Sequence, residues 1–396
     1  MVDLNILTII ILKATINYTL STIHYQLYTI NYTLSTEKKR PSRFFSTKVG
    51  FQMEKKRKHW RKIIFLLLAT LAITIIFSTS IGAVKIPFWD VLKLITNRIP
   101  ILNNLIELEA AATWETIILM VRLPRVLVAG LVGFALATSG TIFQGLLKNP
   151  MADPYIIGIS SGASLGAALV FSFNLDFSYA NFNTLPLFAF IGALLTGFLV
   201  YYLARKGGKV PVATLLLAGI AVSSFLSAIV SLLMFFNDES LNQIVYWMMG
   251  SLASASWSEF HMIWIYILPG FLASFFLARE INLMLLGEDS AQSLGVEIEK
   301  LKQLLLVVAS LLAGAAVAVS GIIGFVGLII PHITRLLVGP DHRILIPASA
   351  LGGAIFLVAT DTLARTLLAP TELPVGIITA LFGAPFFLYL LRKNSR

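Results

Sequence analysis

Val126–Leu147 reads VLVAGLVGFALATSGTIFQGLL, and six residues later Pro154–Leu175 reads PYIIGISSGASLGAALVFSFNL. Each run contains 22 residues without a charge. As an α-helix such a run is about 33 Å long, enough to cross the roughly 30 Å hydrocarbon core of a bilayer. Between the runs, Asn149–Pro154 contains two prolines that do not allow one continuous helix. This stretch therefore predicts two membrane-spanning helices joined by a short polar break.

Seven further uncharged runs after Met53 also predict membrane-spanning helices. The longest of them, Gln303–Thr334, has 32 residues, which as one helix is about 48 Å and exceeds the hydrocarbon core. Its Ser320–Gly324 segment, SGIIG, predicts a bend, so we divide this run into two spans and expect ten in total. The seven runs are Ile63–Val84, Phe177–Ala204, Val210–Asn237, Phe260–Ala278, Gln303–Thr334, Ile344–Thr360 and Leu373–Leu391.

The overall composition also indicates a membrane protein. Of 396 residues, 57% are hydrophobic and 13% are charged, against about 25% charged in an average soluble protein. The mean hydropathy is +0.84. With no cysteine, disulfides, thiolate metal sites and iron–sulfur clusters are excluded. The predicted fold is an all-α polytopic membrane protein with about ten transmembrane helices.

The distribution of Lys and Arg predicts the orientation of these spans. With the basic segment Lys55–Lys62 inside, the inside loops from Met53 onward carry 18 basic residues and the outside loops carry six. Ten spans place both termini in the cytoplasm. The net charge of +10 is then a property of the inside loops, and because no basic stripe has interleaved aromatics we expect no nucleic-acid partner.

Residues 1–52 differ from the remainder of the chain. Thr15–Thr22 reads TINYTLST, and the same eight letters return at Thr29–Thr36, in a polar stretch without a sustained hydrophobic period. Met53 begins the sequence MEKKRKHWRK, a typical basic segment before a first membrane helix. We therefore expect 1–52 to be a non-native or disordered extension and 53–396 to form the transmembrane domain.

Motifs for catalysis are not found in the sequence. Gly207–Val210 lacks the spacing and the Ser or Thr of a phosphate-binding loop, and the five His residues form no metal-binding helix pair. No Gly-x-Ser-x-Gly sequence lies between a strand and a helix. We therefore expect neither an enzyme nor a metal site. Intramembrane acids are nearly absent, which argues against a proton-coupled carrier.

Polar residues instead cluster at the ends of the spans. Arg122 and Arg125 lie three residues apart at the predicted outer edge of one span, and Asp361 and Arg365 lie four apart near another. Leu286–Gly295 is a short amphipathic segment in the longest inside loop. Each cluster has a simpler explanation: snorkelling arginines, a local ion pair or a surface helix.

Taken together and in this order, these segments resemble the permeases of ABC importers for iron chelates and vitamin B12. The resemblance covers essentially all of 53–396. Several long motifs in the same order make it more specific than any single glycine pattern. The segments that carry it are Arg122–Gly166, Trp247–Leu252, Leu286–Val296, Gly321–Arg343 and Glu372–Phe387.

The resemblance implies a fold like that of the vitamin B12 importer permease, in the cell membrane, with no cofactor on this chain. It implies a second permease subunit, identical or paralogous, two cytoplasmic ATP-binding subunits that hydrolyse ATP, and an extracytoplasmic substrate-binding protein. It also implies three groups of site residues. Binding-protein docking would involve Arg122, Arg125 and Arg365; ATPase coupling would involve Gly287, Glu288, Ala291, Leu294 and Gly295; the translocation pathway would involve Asn149, Pro150, Ala152, Pro154, Gly158, Ser160 and Gly162.

The resemblance leaves the cargo open among ferric siderophores, haem and cobalamin, of which we favour a ferric siderophore. Two other classes of protein remain as alternatives. A secondary transporter would have inverted repeats and broken helices, and we find no convincing internal repeat. A membrane-embedded transferase would need an acidic metal motif, which the sequence lacks. Neighbouring genes for a lipoprotein and an ATPase would exclude both.

Overall fold

The structure, a computed structural model, describes residues 43–82, 86–97, 112–175 and 183–394. These residues form helices and one isolated β-bridge, between Lys206 and Lys209. Residues 1–42, most of the predicted extension, lie outside the described part. The first helix runs from Arg43 to Ser80 without interruption at Met53.

Fifteen α-helices follow one another in the described residues, and we number them in chain order. A π-helical turn, Ile117–Arg122, and a short 3₁₀ helix, Pro154–Ile157, lie between some of them. The helices are α1 Arg43–Ser80, α2 Phe88–Asn97, α3 Ala112–Thr116, α4 Leu123–Leu146, α5 Ile159–Ser172, α6 Thr184–Ala204, α7 Val212–Phe236, α8 Asp238–Met248, α9 Trp257–Phe276, α10 Ala278–Leu285, α11 Glu288–Ser293, α12 Ile298–Ser320, α13 Val326–Val338, α14 His342–Ala364 and α15 Val375–Asn394.

The expected all-α polytopic membrane fold is confirmed. Seven stretches of helix are long and apolar enough to cross a membrane, and three shorter apolar helices, α5, α13 and α15, account for the other predicted spans. Each of the ten predicted spans therefore coincides with a helix. The seven stretches are Lys58–Ser80, Thr113–Leu146, Thr184–Ala204, Val212–Phe236, Trp257–Phe276, Ile298–Ser320 and His342–Ala364.

The bend predicted in the 32-residue run is present. Helix α12 ends at Ser320, and Gly321 has φ = 65°, in the left-handed region that favours glycine. A Cβ at Gly321 would overlap the backbone carbonyl of Trp247, so a larger residue would also separate two segments of backbone. Helix α13 starts at Val326, four residues later than the predicted second span.

The helix of the second span begins before the uncharged run that starts at Val126. The helical stretch begins at Thr113 and continues to Leu146, so that Arg122 and Arg125 lie within this helix. Pro124 has no N–H to donate to the carbonyl four residues earlier. The helix widens into the π-helical turn just before this proline, and the Trp257 Nε1–H donates to the Leu119 carbonyl there at 2.8 Å.

Helices α4, α12 and α14 form the centre of the bundle. Gly133 and Gly353 allow the backbones of α4 and α14 to touch, because a Cβ on either one would overlap the carbonyl of the other. In the most apolar window of α12, 78% of residues are buried, against 28% in α7 and in α9. Helices α7 and α9 therefore present most of their surface to lipid or to another chain.

Candidate functional site

The polar residues predicted from the sequence lie at opposite ends of the bundle. Following the predicted orientation, we call the end with Arg122, Arg125 and Arg365 the outer end, and the end with Gly287–Gly295 the inner end. The structure brings each group together in space, although the members of the first group are up to 243 residues apart in sequence. Within the described residues no group of three or more His, Cys, Asp or Glu could hold a metal ion.

At the outer end, Arg125 is the centre of a charged network. Its Nη2 donates to Asp361 Oδ1 at 2.9 Å, and its Nε lies 3.2 Å from both carboxylate oxygens of Asp361. Its Nη1 donates to Glu372 Oε2 at 2.8 Å. Such forked pairing is the strong geometry for a guanidinium and a carboxylate. Arg125 therefore joins α4 to α14 and to the segment that precedes α15.

The other two arginines bind the end of α1. Arg122 Nη1 donates to the carbonyls of Thr79 and Ser80 at 3.1 and 3.0 Å. Arg365 donates to the carbonyl of Ser78 and, at 2.8 Å, to its hydroxyl. The last carbonyls of a helix have no partner within the helix and carry partial negative charge. Both arginines thus satisfy the C-terminus of α1.

We call Arg122, Arg125, Asp361, Arg365 and Glu372 the outer charged cluster. Its three arginines are only 6%, 9% and 7% exposed, whereas the Glu372 side chain is 41% exposed. The i, i+4 pair predicted from the sequence is present but secondary, since Arg365 Nε lies 3.6 Å from Asp361 Oδ2 and Asp361 mainly binds Arg125. Three guanidiniums against two carboxylates leave one excess positive charge.

At the inner end, the predicted coupling segment forms a short helix between two glycines. Gly287 has φ = 114° and Gly295 has φ = 86°, so both adopt backbone conformations that L side chains rarely adopt. Between them, Ala291 is fully buried against the bundle, while Leu294 is 61% exposed. The segment therefore rests on the bundle through one face and presents the other.

Glu288, the first residue of α11, is paired within the chain. Its Oε2 accepts from Lys302 Nζ of α12 at 3.0 Å, and its Oε1 lies 4.0 Å from Lys148 Nζ. Lys302, which is mostly buried, also donates to Glu299 at 3.2 Å. The bond between Glu288 and Lys302 holds α11 against α12.

The predicted pathway residues lie in one compact segment that runs from the break after α4 into the first turn of α5. The Asn149 and Asp153 side chains accept from the backbone N–H two residues onward, at 2.9 and 2.8 Å, which stabilises two tight turns. Tyr155 donates its hydroxyl to the Ile323 carbonyl at 3.1 Å. Asn149 and Pro150 are exposed and Ser160 is half-buried, whereas Ala152, Pro154, Gly158 and Gly162 are buried.

Both glycines among the predicted pathway residues allow close packing of helices. A Cβ at Gly162 would overlap the carbonyl of Gly192, so Gly162 allows α5 and α6 to touch. Gly158 has φ = 82°, and a Cβ there would lie 2.9 Å from Ser223 Oγ of α7. Their small size is explained by contacts inside the subunit.

Comparison with known proteins supplies the family. A profile described as the FecCD transport family matches residues 70–393. The chain is 48% identical over 283 residues to the cobalamin import system permease protein BtuC of Halobacterium salinarum, covering 72% of this chain and 75% of that protein. It is 44% identical over 337 residues to the hemin transport system permease protein HmuU of Yersinia pestis, covering 84% of this chain and 96% of that protein.

A solved structure agrees with these relatives. It shows an inward-facing conformation of a metal-chelate type ABC transporter, with a TM-score of 0.71 and 35% sequence identity. The match covers 84% of this chain and 99% of that chain. The resemblance inferred from the sequence motifs is confirmed.

Proposed function

This chain belongs to the FecCD transport family, and we propose from this that it is the permease of an ABC importer that takes up an iron chelate. The observation that carries the proposal is the family match across 70–393. The match begins within the first of the ten apolar helices and covers the other nine in full. The chain is accordingly a multi-pass transport subunit of the plasma membrane and not an enzyme.

An ABC permease works with an ATPase and a substrate-binding protein. We propose two ATP-binding subunits at the inner end and a second permease, identical or paralogous, beside this one. ATP is then used by a separate chain, and this chain needs no cofactor.

The inner end supports an ATPase contact at α11. Leu285, Leu286 and Leu294 are exposed large apolar residues that flank this short helix, and an apolar surface on a soluble face favours a protein partner. Ala291 seats the helix on the bundle, Glu288 fixes its position, and Gly287 and Gly295 shape its ends. We therefore propose that the ATPase contacts the leucines directly. Gly287, Glu288, Ala291 and Gly295 would act indirectly, by holding the segment in the shape that the ATPase binds.

The outer end supports docking of a binding protein through charge. The outer charged cluster has one excess positive charge and lies at the outer rim, so carboxylates on a partner would be attracted to it. Docking would require these carboxylates to share the guanidiniums with Asp361 and Glu372. Because Glu372 is the more exposed of the two, it is the acid that a partner carboxylate would displace.

We propose that the segment with Asn149, Pro150, Ala152, Pro154, Gly158, Ser160 and Gly162 lies beside the translocation pathway. Its polar break follows Lys148, which the charge bias places in an inside loop and whose Nζ lies 4.0 Å from Glu288 Oε1 of α11, so the segment begins at the inner end of the bundle. Its exposed members, Asn149 and Pro150, are open to a second subunit or to solvent.

The cargo is tested by uptake into proteoliposomes. We expect liposomes that contain this chain, its ATPase and its binding protein to accumulate a ferric hydroxamate siderophore when ATP is inside, and not when ADP replaces it. Haem and cobalamin are the second candidates, because two relatives are named for them. Uptake of haem or cobalamin in preference to the siderophore would replace the proposed cargo, and ATP-independent uptake of any of them would contradict the ABC mechanism.

A further inference from the structure

A side-chain bond joins the helix before the coupling segment to the start of α14. Asn282, on α10, donates through Nδ2 to Asp341 Oδ1 at 2.7 Å. Asn282 Oδ1 accepts from the backbone N–H of His342 at 2.9 Å and lies 2.9 Å from His342 Nδ1. Asp341 at the same time caps α14 by accepting from Arg343 N at 3.0 Å. We call Asn282, Asp341 and His342 the inner clamp.

The inner clamp lies at one end of a helix whose other end belongs to the outer charged cluster. Helix α14 has 23 residues and is therefore about 34 Å long. Asp361, near its far end, binds Arg125 of α4. Because α4 and α14 also touch through Gly133 and Gly353, the two helices form one tightly packed pair along their length.

Close packing reinforces the inner clamp. A Cβ on Gly145 of α4 would lie 2.8 Å from Ile281 Cγ2 of α10 and 3.0 Å from His342 Nε2 of α14. Three helices thus approach one another closely at Gly145, so a displacement of α10 meets side chains of both neighbours there.

From these contacts we infer that Asn282 is a positioning residue that transmits displacement of the coupling segment to α14 and so to the outer charged cluster. The inference rests on the proposed function, since the displacement would come from an ATPase bound at α11. Glu288–Lys302 ties α11 to α12, whereas Asn282 ties α10 to α14, whose far end carries a group proposed for docking.

The test exchanges the two partners of the bond. In N282D a carboxylate faces the carboxylate of Asp341 and the donated hydrogen bond is lost. In the double variant N282D/D341N, the amide introduced at position 341 donates to the carboxylate at position 282. Asp341 Oδ1 accepts both from Asn282 and from Arg343 N in the wild type, so the double variant restores the bond between the helices and gives up the cap on Arg343 N. D341N alone keeps an acceptor for Asn282 and is the matched control, as is Arg279→Ala, an exposed residue of the same helix.

All variants are measured as the full transporter in proteoliposomes, by ATPase rate with and without loaded binding protein and by substrate taken up per ATP. We expect N282D and N282A to keep the bound ATPase and its basal rate but to lose at least about fivefold in uptake per ATP, a coupling effect of about 1 kcal/mol. The double variant should restore uptake to within about twofold of the wild type, and both controls should stay near it.

Wild-type uptake per ATP in N282A would overturn the inference, whatever N282D shows, because N282A removes the bond without adding a charge. Loss of uptake that the double variant does not restore, with ATPase binding intact, would also overturn it. A wild-type chain that neither retains an ATPase nor responds to one would instead refute the proposed function, so the two failures are distinguishable. Because N282A adds no charge, it checks whether repulsion alone causes the effect of N282D.

Discussion

At the scale of single residues, the arginines that the sequence places at the end of a span form hydrogen bonds and ion pairs within the protein. Asp361 is 1% exposed and holds Arg125 in a forked pair, with Arg365 beside it. The i, i+4 spacing allowed the Asp361–Arg365 contact to be predicted. The stronger partner, Arg125, is 236 residues away, and nothing in one sequence indicates that pairing. The same holds for Asn282 and Asp341.

The first prediction concerns this buried acid. Asp361→Ala should lower the free energy of unfolding by about 3 kcal/mol, because breaking a buried pair leaves an uncompensated charge. Glu372→Gln should cost less than about 1 kcal/mol, because the Glu372 side chain is 41% exposed and its pair is screened by water. Thermal unfolding of the purified variants in one detergent measures both. Equal shifts would contradict the difference in burial on which the prediction depends.

At the scale of helices, uncharged runs located all ten spans, but the helix of the second span begins before its run. A search for uncharged runs stops at a charged residue, so it began that span after Arg125 and placed both arginines at its edge. The helix continues through them because each guanidinium finds carboxylates or helix-terminal carbonyls. The bend after Ser320 was predictable, since length and glycine content alone require it.

The second prediction concerns the coupling segment. Leu294→Glu should leave membrane insertion unchanged but reduce ATPase binding by about tenfold or more, because it places a charge in an apolar contact. Ser293→Glu adds the same charge one residue earlier, at an exposed polar position, and should have a smaller effect. Co-purification of the ATPase with each variant measures the binding. Full retention of the ATPase by Leu294→Glu would exclude Leu294 from the contact.

At the scale of the whole molecule, the excess of Lys and Arg in the inside loops predicts the orientation of the spans. That excess includes the basic segment Lys55–Lys62, so the argument needs a domain that starts at or before Met53. The third prediction is that expression from Met53 gives full insertion and uptake. The first apolar stretch, Lys58–Ser80, lies wholly after Met53, and the family match starts at residue 70. Membrane yield and uptake, compared with the full chain, provide the measurement. A loss of either would show that residues before Met53 contribute to the domain.

The last prediction concerns docking between molecules. Arg122→Glu turns the excess charge of the outer cluster negative and should slow association of the binding protein by about fivefold at low salt. Glu372→Gln removes an exposed carboxylate, leaves every arginine in place and should speed association. Both effects should shrink as ionic strength rises, since charges more than about 10 Å apart are screened at 0.1 M salt. Association rates of the binding protein with reconstituted transporter, measured across ionic strength, test both variants together.

The two variants separate docking from an internal role of the cluster. Arg122→Glu also breaks the bonds to Thr79 and Ser80, so by itself a loss of binding would be explained equally well by a disturbed α1. Glu372→Gln removes only one pair of Arg125, and a purely internal role predicts no faster association from that change. Opposite shifts that vanish at high salt therefore require attraction between the cluster and acidic groups of the partner. Association rates that do not change in either variant would leave the cluster with a structural role alone.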